Sequence, residues 1–196
     1  MNQLSLLNTQ IRKSAPLKIG LAPWVGDNPI ILILGTLPGD ESIENGMYYA
    51  NPRNRFWEIM HNLFGGNCDN KSKSFITLHH IALWDCFKSA ERIGSADKGI
   101  IRGTETPNDI ISFLSKYPTI KTIIKYGTSK CSKTGFTTLQ AFKQYFSELY
   151  NSNYEIVPLY QTSRSNEKNG ITFEMKMKSW QIVKEIVDAQ IKVYKN

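Results

Sequence analysis

Ile31-Leu32-Ile33-Leu34-Gly35-Thr36-Leu37-Pro38-Gly39 is the stretch whose reading decides the fold of this 196-residue chain. Four consecutive β-favouring apolar residues read as a strand buried on both faces, the middle of a parallel sheet. Gly35 stops the strand and Pro38-Gly39 enforces a turn. A loop so placed sits at the carboxyl end of its strand, where open α/β sheets keep their ligands. The run from Gly46 to Trp57 follows it, with Tyr48-Tyr49, Asn51-Pro52-Arg53-Asn54 and Phe56-Trp57. Aromatic faces, amides and guanidinium are thus packed into one loop. Pattern alone leaves two readings open: a ligand site, or a strand–loop–helix corner closed by an aromatic core plug.

Outward from that stretch the chain alternates strand and helix. The periodicity places strands at Ile30–Leu34, His79–Trp84, Lys121–Tyr126 and Tyr154–Leu159, with Asp85 at the carboxyl end of the second and Gly127 closing the third. A helix is expected from near Pro52, since proline suits a first turn whose N–H groups have no partner. Its Phe56, Ile59, Met60, Leu63 and Phe64 form a stripe to lie on a sheet, which makes Phe56 and Trp57 core, and Gly65-Gly66 ends it. Asn67 to Ser74 reads as a polar loop, and Glu91 to Pro107 as another. Asn108-Asp109 can cap a helix stopped by Pro118. Further helices are expected over Thr137–Leu149 and Phe173–Tyr194, with Leu4, Leu6, Leu7 and Ile11 as a short amino-terminal one. The result is a single domain over residues 1–196, with residues 1–24 weakly patterned. It is an α/β fold, three layers with a central four-stranded, mostly parallel sheet. All four strands then aim their following loops at one rim.

Hydrophobic content of 41% and charged content of 21% are those of an ordinary soluble globular protein. The net charge of +7 favours a polyanionic partner without naming it. Cys68, Cys86 and Cys131 are odd in number and far apart, so neither a zinc site nor a disulfide framework is implied. The adjacent His79-His80 would leave a strand on opposite faces, which argues against a metal site. No segment approaches the length of a membrane span, and residues 1–20 lack a signal-peptide apolar run. These features read as a reduced, cytoplasmic chain.

Gly35-Thr36-Leu37-Pro38-Gly39 and Gly46-Met47-Tyr48-Tyr49-Ala50-Asn51-Pro52-Arg53-Asn54-Arg55-Phe56-Trp57 together resemble the first motif of the uracil-DNA glycosylase superfamily. They look closest to its mismatch-specific and hypoxanthine branches. Ile81-Ala82-Leu83-Trp84-Asp85, running on to Ser89–Ser95, is similar to the second strand and following loop of the hypoxanthine branch. Thr162-Ser163-Arg164-Ser165-Asn166 stands where the second motif belongs. The resemblance covers roughly Leu21 to Asn166 and implies that fold. It also implies a monofunctional enzyme that flips a deaminated base, hypoxanthine or uracil, out of DNA and hydrolyses its N-glycosidic bond. The expected partner is DNA containing deaminated bases, met by a monomer with no membrane association. No metal or organic cofactor is implied, and no lysine is placed by a motif for lyase chemistry.

The implied roles follow the chemistry. Gly35, Thr36 and Leu37 belong to the base-binding loop. Tyr49 occupies the position of the stacking aromatic, its alternative being a core tyrosine with a satisfied hydroxyl. Asp85 matches the strand-end residue that reads the base edge, its alternative being a helix cap. Thr162, Ser163, Arg164, Ser165 and Asn166 suit phosphate contact, and Arg164 could wedge into the duplex. The third motif residue, which in most of the superfamily holds the attacking water, is here Leu37, with no hydrogen-bonding group. The resemblance moves that task to an asparagine farther along, Asn51 ahead of Asn54, the latter equally able to cap the helix. Asp40 and Glu41 read as solvated loop carboxylates. The sequence departs from the hypoxanthine branch at Gly39, at Tyr126-Gly127, at Tyr160-Gln161 and at Arg164. A DNA-binding module without catalysis, and an α/β enzyme unrelated to DNA, are the competing readings.

Overall fold

A computed structural model describes residues 15–67, 70–126 and 136–195 of the chain. The deciding stretch forms β2 (Ile31–Gly35), which follows a short β1 (Leu17–Ile19). All five residues of β2 are buried. Strands β3 (Ile81–Asp85), β6 (Thr122–Tyr126) and β7 (Glu155–Leu159) join it in a four-stranded sheet of order β3-β2-β6-β7. Every pairing in that sheet is parallel.

Alternation along β2 explains why both faces must be covered. Ile31 and Ile33 enter one hydrophobic cluster, with Phe56, Trp57, Ile59 and Met60 of α2 (Phe56–Phe64) and Trp180, Val183 and Val187 of α6 (Phe173–Lys195). Leu32 and Leu34 enter the other, with Phe113 and Leu114 of α4 (Ile110–Lys116) and Ala141 and Phe142 of α5 (Thr138–Tyr145). Period-2 side chains on a sheet between two helical layers give the three-layer α/β/α architecture expected.

Several elements differ from the sequence reading, each for a local reason. Helix α2 begins at Phe56, because Asn51-Pro52-Arg53-Asn54 closes as a turn first: Asn54 N–H donates to the Asn51 carbonyl at 2.8 Å. Asn51 Oδ1 also accepts from Arg53 N–H at 2.8 Å, holding Pro52 in that turn. The expected polar loop at Asn67–Ser74 runs into helix α3 (Lys73–Leu78), capped by the Ser72 hydroxyl, which accepts from Phe75 N–H. His79 and His80 lie in the turn before β3, His80 with φ 56°. Helix α5 ends at Tyr145 and a 3-10 turn over Ser147–Asn151 replaces its last turn. A helix α1 (Asp40–Glu44) occupies the first-motif loop. Leu4, Leu6, Leu7, Ile11, Cys68, Gly127 and Cys131 lie outside the described residues.

A second, antiparallel sheet, of order β1-β4-β5, was not expected and brackets the predicted loop from Glu91 to Pro107. It comprises β1, β4 (Phe87–Glu91) and β5 (Thr106–Pro107). The chain passes from β3 into β4 through Cys86 and Phe87, whose N–H groups donate to the carbonyls of Gly35 and Thr36. This short sheet returns the segment 93–99 to the carboxyl end of β2. Its strands are too short, and its polar residues too frequent, for periodicity to reveal it.

Candidate functional site

A cleft of about 740 Å³ opens at the carboxyl ends of the parallel strands. Gly35, Thr36, Leu37, Tyr49, Asn51, Asn54, Asp85, Thr162, Ser163, Arg164 and Ser165 all line it, so one place gathers every sequence-predicted site residue except Asn166.

Gly35 pairs with Asp85 across β2 and β3. A Cβ on Gly35 would lie 2.2 Å from Asp85 Oδ1, so only glycine lets that carboxylate sit against the strand end. Asp85 is 5% exposed, and its Oδ2 has no hydrogen-bond partner among the described residues. Burial, reinforced by the charge of Asp97 and opposed by Arg92, pushes its carboxyl up to about 8. It is therefore a neutral acid at pH 7, buried in the wall of the cleft. Asp97, which also lines the cleft, is raised to about 6 by burial, against a hydrogen bond from Thr36 and the charge of Arg92 that lower it. The Thr36 and Thr138 hydroxyls are 2.8 Å apart and tie the motif loop to α5.

Tyr48 and Tyr49 part company. Tyr48 turns into the core, and its carbonyl accepts from the Trp57 indole at 3.1 Å. Tyr49 has φ 55°, a conformation that costs a non-glycine residue energy and turns its ring toward the cleft. One face of the ring stacks on Phe56, centroids 3.8 Å apart and planes within 15°. Its hydroxyl meets that of Tyr126 at 2.7 Å. Burial, with Tyr126 against it, holds the phenol protonated far above neutral pH. Ring and hydroxyl are both fixed, so the ring is held rigidly in the cleft wall.

The two asparagines are differently engaged. Asn54 Oδ1 accepts from Phe56 N–H at 2.9 Å, a helix-start bond, and its backbone bridges to Ser163. Asn51 Nδ2 donates to Glu41 Oε2. Leu37 is 5% exposed and packs in the α4/α5 cluster, so it presents no polar group to the cleft. Sequence reasoning missed what holds the motif loop. Arg92, fully buried, donates to the carbonyls of Leu37 at 3.3 Å and Pro38 at 2.7 Å and pairs with Asp40 at 2.9 Å. Lys18 reaches Asp40 as well, at 3.2 Å. Asp40 is thus paired rather than solvated, and Glu41 is bonded by Asn51.

The segment after β7 divides by direction. Thr162 is 2% exposed and bonds Tyr126, and Asn166 turns its amide back to the Gln161 carbonyl at 3.2 Å. These two side chains face inward rather than toward a phosphate. Arg164 and Ser165 are exposed, while Ser163 caps the 3-10 turn Arg164–Asn169 by accepting from Ser165 N–H. Beneath the turn, fully buried Lys176 donates to the Ser163 carbonyl at 2.8 Å and pairs with Glu167, which also holds Arg55. Arg53 of the first motif joins Arg164 around the opening, together with Lys98 and Lys168, cations that no motif had singled out. Net charge alone signalled that such residues would exist.

The comparisons with known proteins agree with this geometry. The family model described as "Uracil DNA glycosylase superfamily" matches residues 23–184. A hypoxanthine DNA glycosylase of Methanosarcina acetivorans is 40% identical over 111 residues, 55% of this chain and 69% of that protein. One from Methanosarcina barkeri is 39% identical over 88 residues, 42% of this chain and 55% of that protein. A solution NMR structure of a Methanosarcina acetivorans protein, provisionally described as a uracil DNA glycosylase, superposes with a TM-score of 0.68 at 28% identity. The match covers 88% of this chain and 99% of that one. With the matched model spanning the four-stranded sheet, the cleft and the first half of α6, the chain belongs to the uracil DNA glycosylase superfamily.

Proposed function

We propose that this chain is a monofunctional DNA glycosylase that hydrolyses the N-glycosidic bond of a flipped-out deaminated base, hypoxanthine first among them. The observation that carries the reading is the unpartnered Asp85 carboxyl at the floor of a cleft walled by the Tyr49 ring. A neutral carboxyl accepts from an N–H and donates to a carbonyl side by side. That is the complement of the lactam edge deamination creates in hypoxanthine, xanthine and uracil. Tyr49 offers the stacking face for the extruded ring. As the glycosidic bond breaks, negative charge collects on the base, where the Asp85 proton stabilises it. Arg53, Lys98, Arg164 and Lys168 around the opening suit the flanking phosphates. The names of the Methanosarcina relatives favour hypoxanthine among the lactam bases. In this reading the chain acts as a monomer.

A second reading keeps the scaffold and drops the chemistry: a module that binds DNA without cleaving it. Leu37, buried where the superfamily commonly has a water-holding side chain, is what favours it. One experiment separates the two. Oligonucleotides carrying a single hypoxanthine, xanthine or uracil, or no lesion, are incubated with the chain and then treated with alkali to cut abasic sites. Cleavage at hypoxanthine but not in the undamaged strand is expected. Salt-sensitive binding with no cleavage at any lesion would select the silent module.

A further inference from the structure

Leu37 leaves the hydrolysis without its usual water-holding residue, and the cleft wall carries a group that can take over. Glu41 stands in the first turn of α1, half-buried and facing the cleft. Its Oε2 is held by Asn51 Nδ2, and Oε1 has no hydrogen-bond partner among the described residues. The pair is fixed from both sides. Asn51 is locked into its turn by Arg53 N–H, and α1 is tied to the same segment where Ala50 N–H donates to the Ser42 hydroxyl at 3.2 Å. Ahead of α1, the Arg92 clamp on Leu37, Pro38 and Asp40 holds the motif loop. The result is a carboxylate with one oxygen anchored and the other open to the cavity.

We propose that Glu41 is the catalytic carboxylate of this enzyme: Oε1 holds the attacking water and accepts its proton, while Asn51 orients the carboxylate. The inference rests on the glycosylase reading above. In the step it describes, the water oxygen bonds to C1′ of the deoxyribose and one water proton passes to Glu41. The C1′–N bond breaks with its electron pair leaving on the base. The base takes up a proton from solvent, Glu41 returns its own to solvent, and the products are the free base and an abasic sugar. The same carboxylate places negative charge near the oxocarbenium-like sugar, where it stabilises the transition state more than the ground state.

The test is single-turnover release of hypoxanthine by wild type, Glu41→Gln and Glu41→Ala, with oligonucleotide binding and melting temperature measured on each. Glutamine keeps an oxygen for Asn51 and cannot take a proton. Its release rate should therefore fall by about 100-fold or more, in the range of lost general-base catalysis, with binding and melting unchanged. In Glu41→Ala, sodium formate should raise the rate where sodium chloride does not, a small carboxylate entering the vacated space. A Glu41→Gln rate close to wild type overturns the proposal. So does a loss of rate matched by equal loss of DNA binding, or a Glu41→Ala rate indifferent to formate. Absence of release by the wild-type chain would fail the glycosylase reading itself, and with it the role of Glu41.

Discussion

At the scale of the residue, Asp85 joins stability to chemistry. Its carboxyl titrates near 8 in the folded chain because burial and the Asp97 charge oppose ionisation, with Arg92 only partly offsetting them. An unfolded chain releases the same proton near the ordinary aspartate value. Stability is therefore fully present below that ordinary value and is lost as pH rises from there through about 8. Asp85→Asn removes the effect, so its melting temperature should exceed wild type by more at pH 8 than at pH 4. The functional profile has the same origin. Base release by wild type should decline above about pH 8 as the proton needed for the base carbonyl is lost. The amide introduced by Asp85→Asn carries a donor and an acceptor without titrating, so the variant should retain binding and lose that alkaline decline. An unchanged pH–rate profile in the variant would remove Asp85 from the reaction.

At the scale of the element, the 3-10 turn Arg164–Asn169 has little packing of its own and depends on the helix beneath it. Lys176 of α6, fully buried, reaches the Ser163 carbonyl and Glu167, and Glu167 reaches Arg55 at the start of α2. The same turn is joined to the first motif by the backbone bonds Arg55 N–H to Thr162 carbonyl, 2.9 Å, and Arg164 N–H to Arg53 carbonyl, 3.3 Å. The two cleft walls therefore hold one another. Lys176→Met keeps the apolar stem and removes the charged donor. It should cost about 1.5–3 kcal/mol in urea unfolding, as lost hydrogen bonds from a charged group do. DNA binding should weaken with it, because Arg164 and Ser165 ride on that turn. Unfolding unchanged in Lys176→Met would show that the turn stands without its buried support.

At the scale of the whole molecule, the +7 charge acts where the fold concentrates it. Arg53, Lys98, Arg164 and Lys168 ring the opening that leads to Asp85 and Tyr49. Affinity for an oligonucleotide should fall with salt, each neutralised phosphate adding about −0.9 to the logarithmic slope on duplex and about −0.7 on a single strand. Arg164→Ala and Lys168→Ala should each make that slope shallower by about one phosphate, with any hypoxanthine preference intact. Loss of preference with slope unchanged would place these side chains at the base instead.

The α/β class was legible from Ile31–Leu34 alone, because four apolar residues too short for a helix and followed by a Gly/Pro turn have few other homes. Four core strands, the capped helices and most of the site residues followed from period and motif. The small sheet β1-β4-β5 did not, since its short strands leave no pattern. Nor did the onset of α2, because the Asn51–Asn54 turn and a proline helix start have the same composition. At the site, residue types were readable and their states were not. Asp85 is neutral because the sheet presses it against Gly35 and away from water. Glu41 is engaged because a turn ten residues on brings Asn51 to it. Arg92 is a clamp only because a second sheet carries it under Leu37 and Pro38. Strand and helix positions rest on local periodicity, which sequence carries in full. Protonation, hydrogen-bond partners and the ring of cations rest on distances between residues far apart in the chain, and these exist only once the layers close.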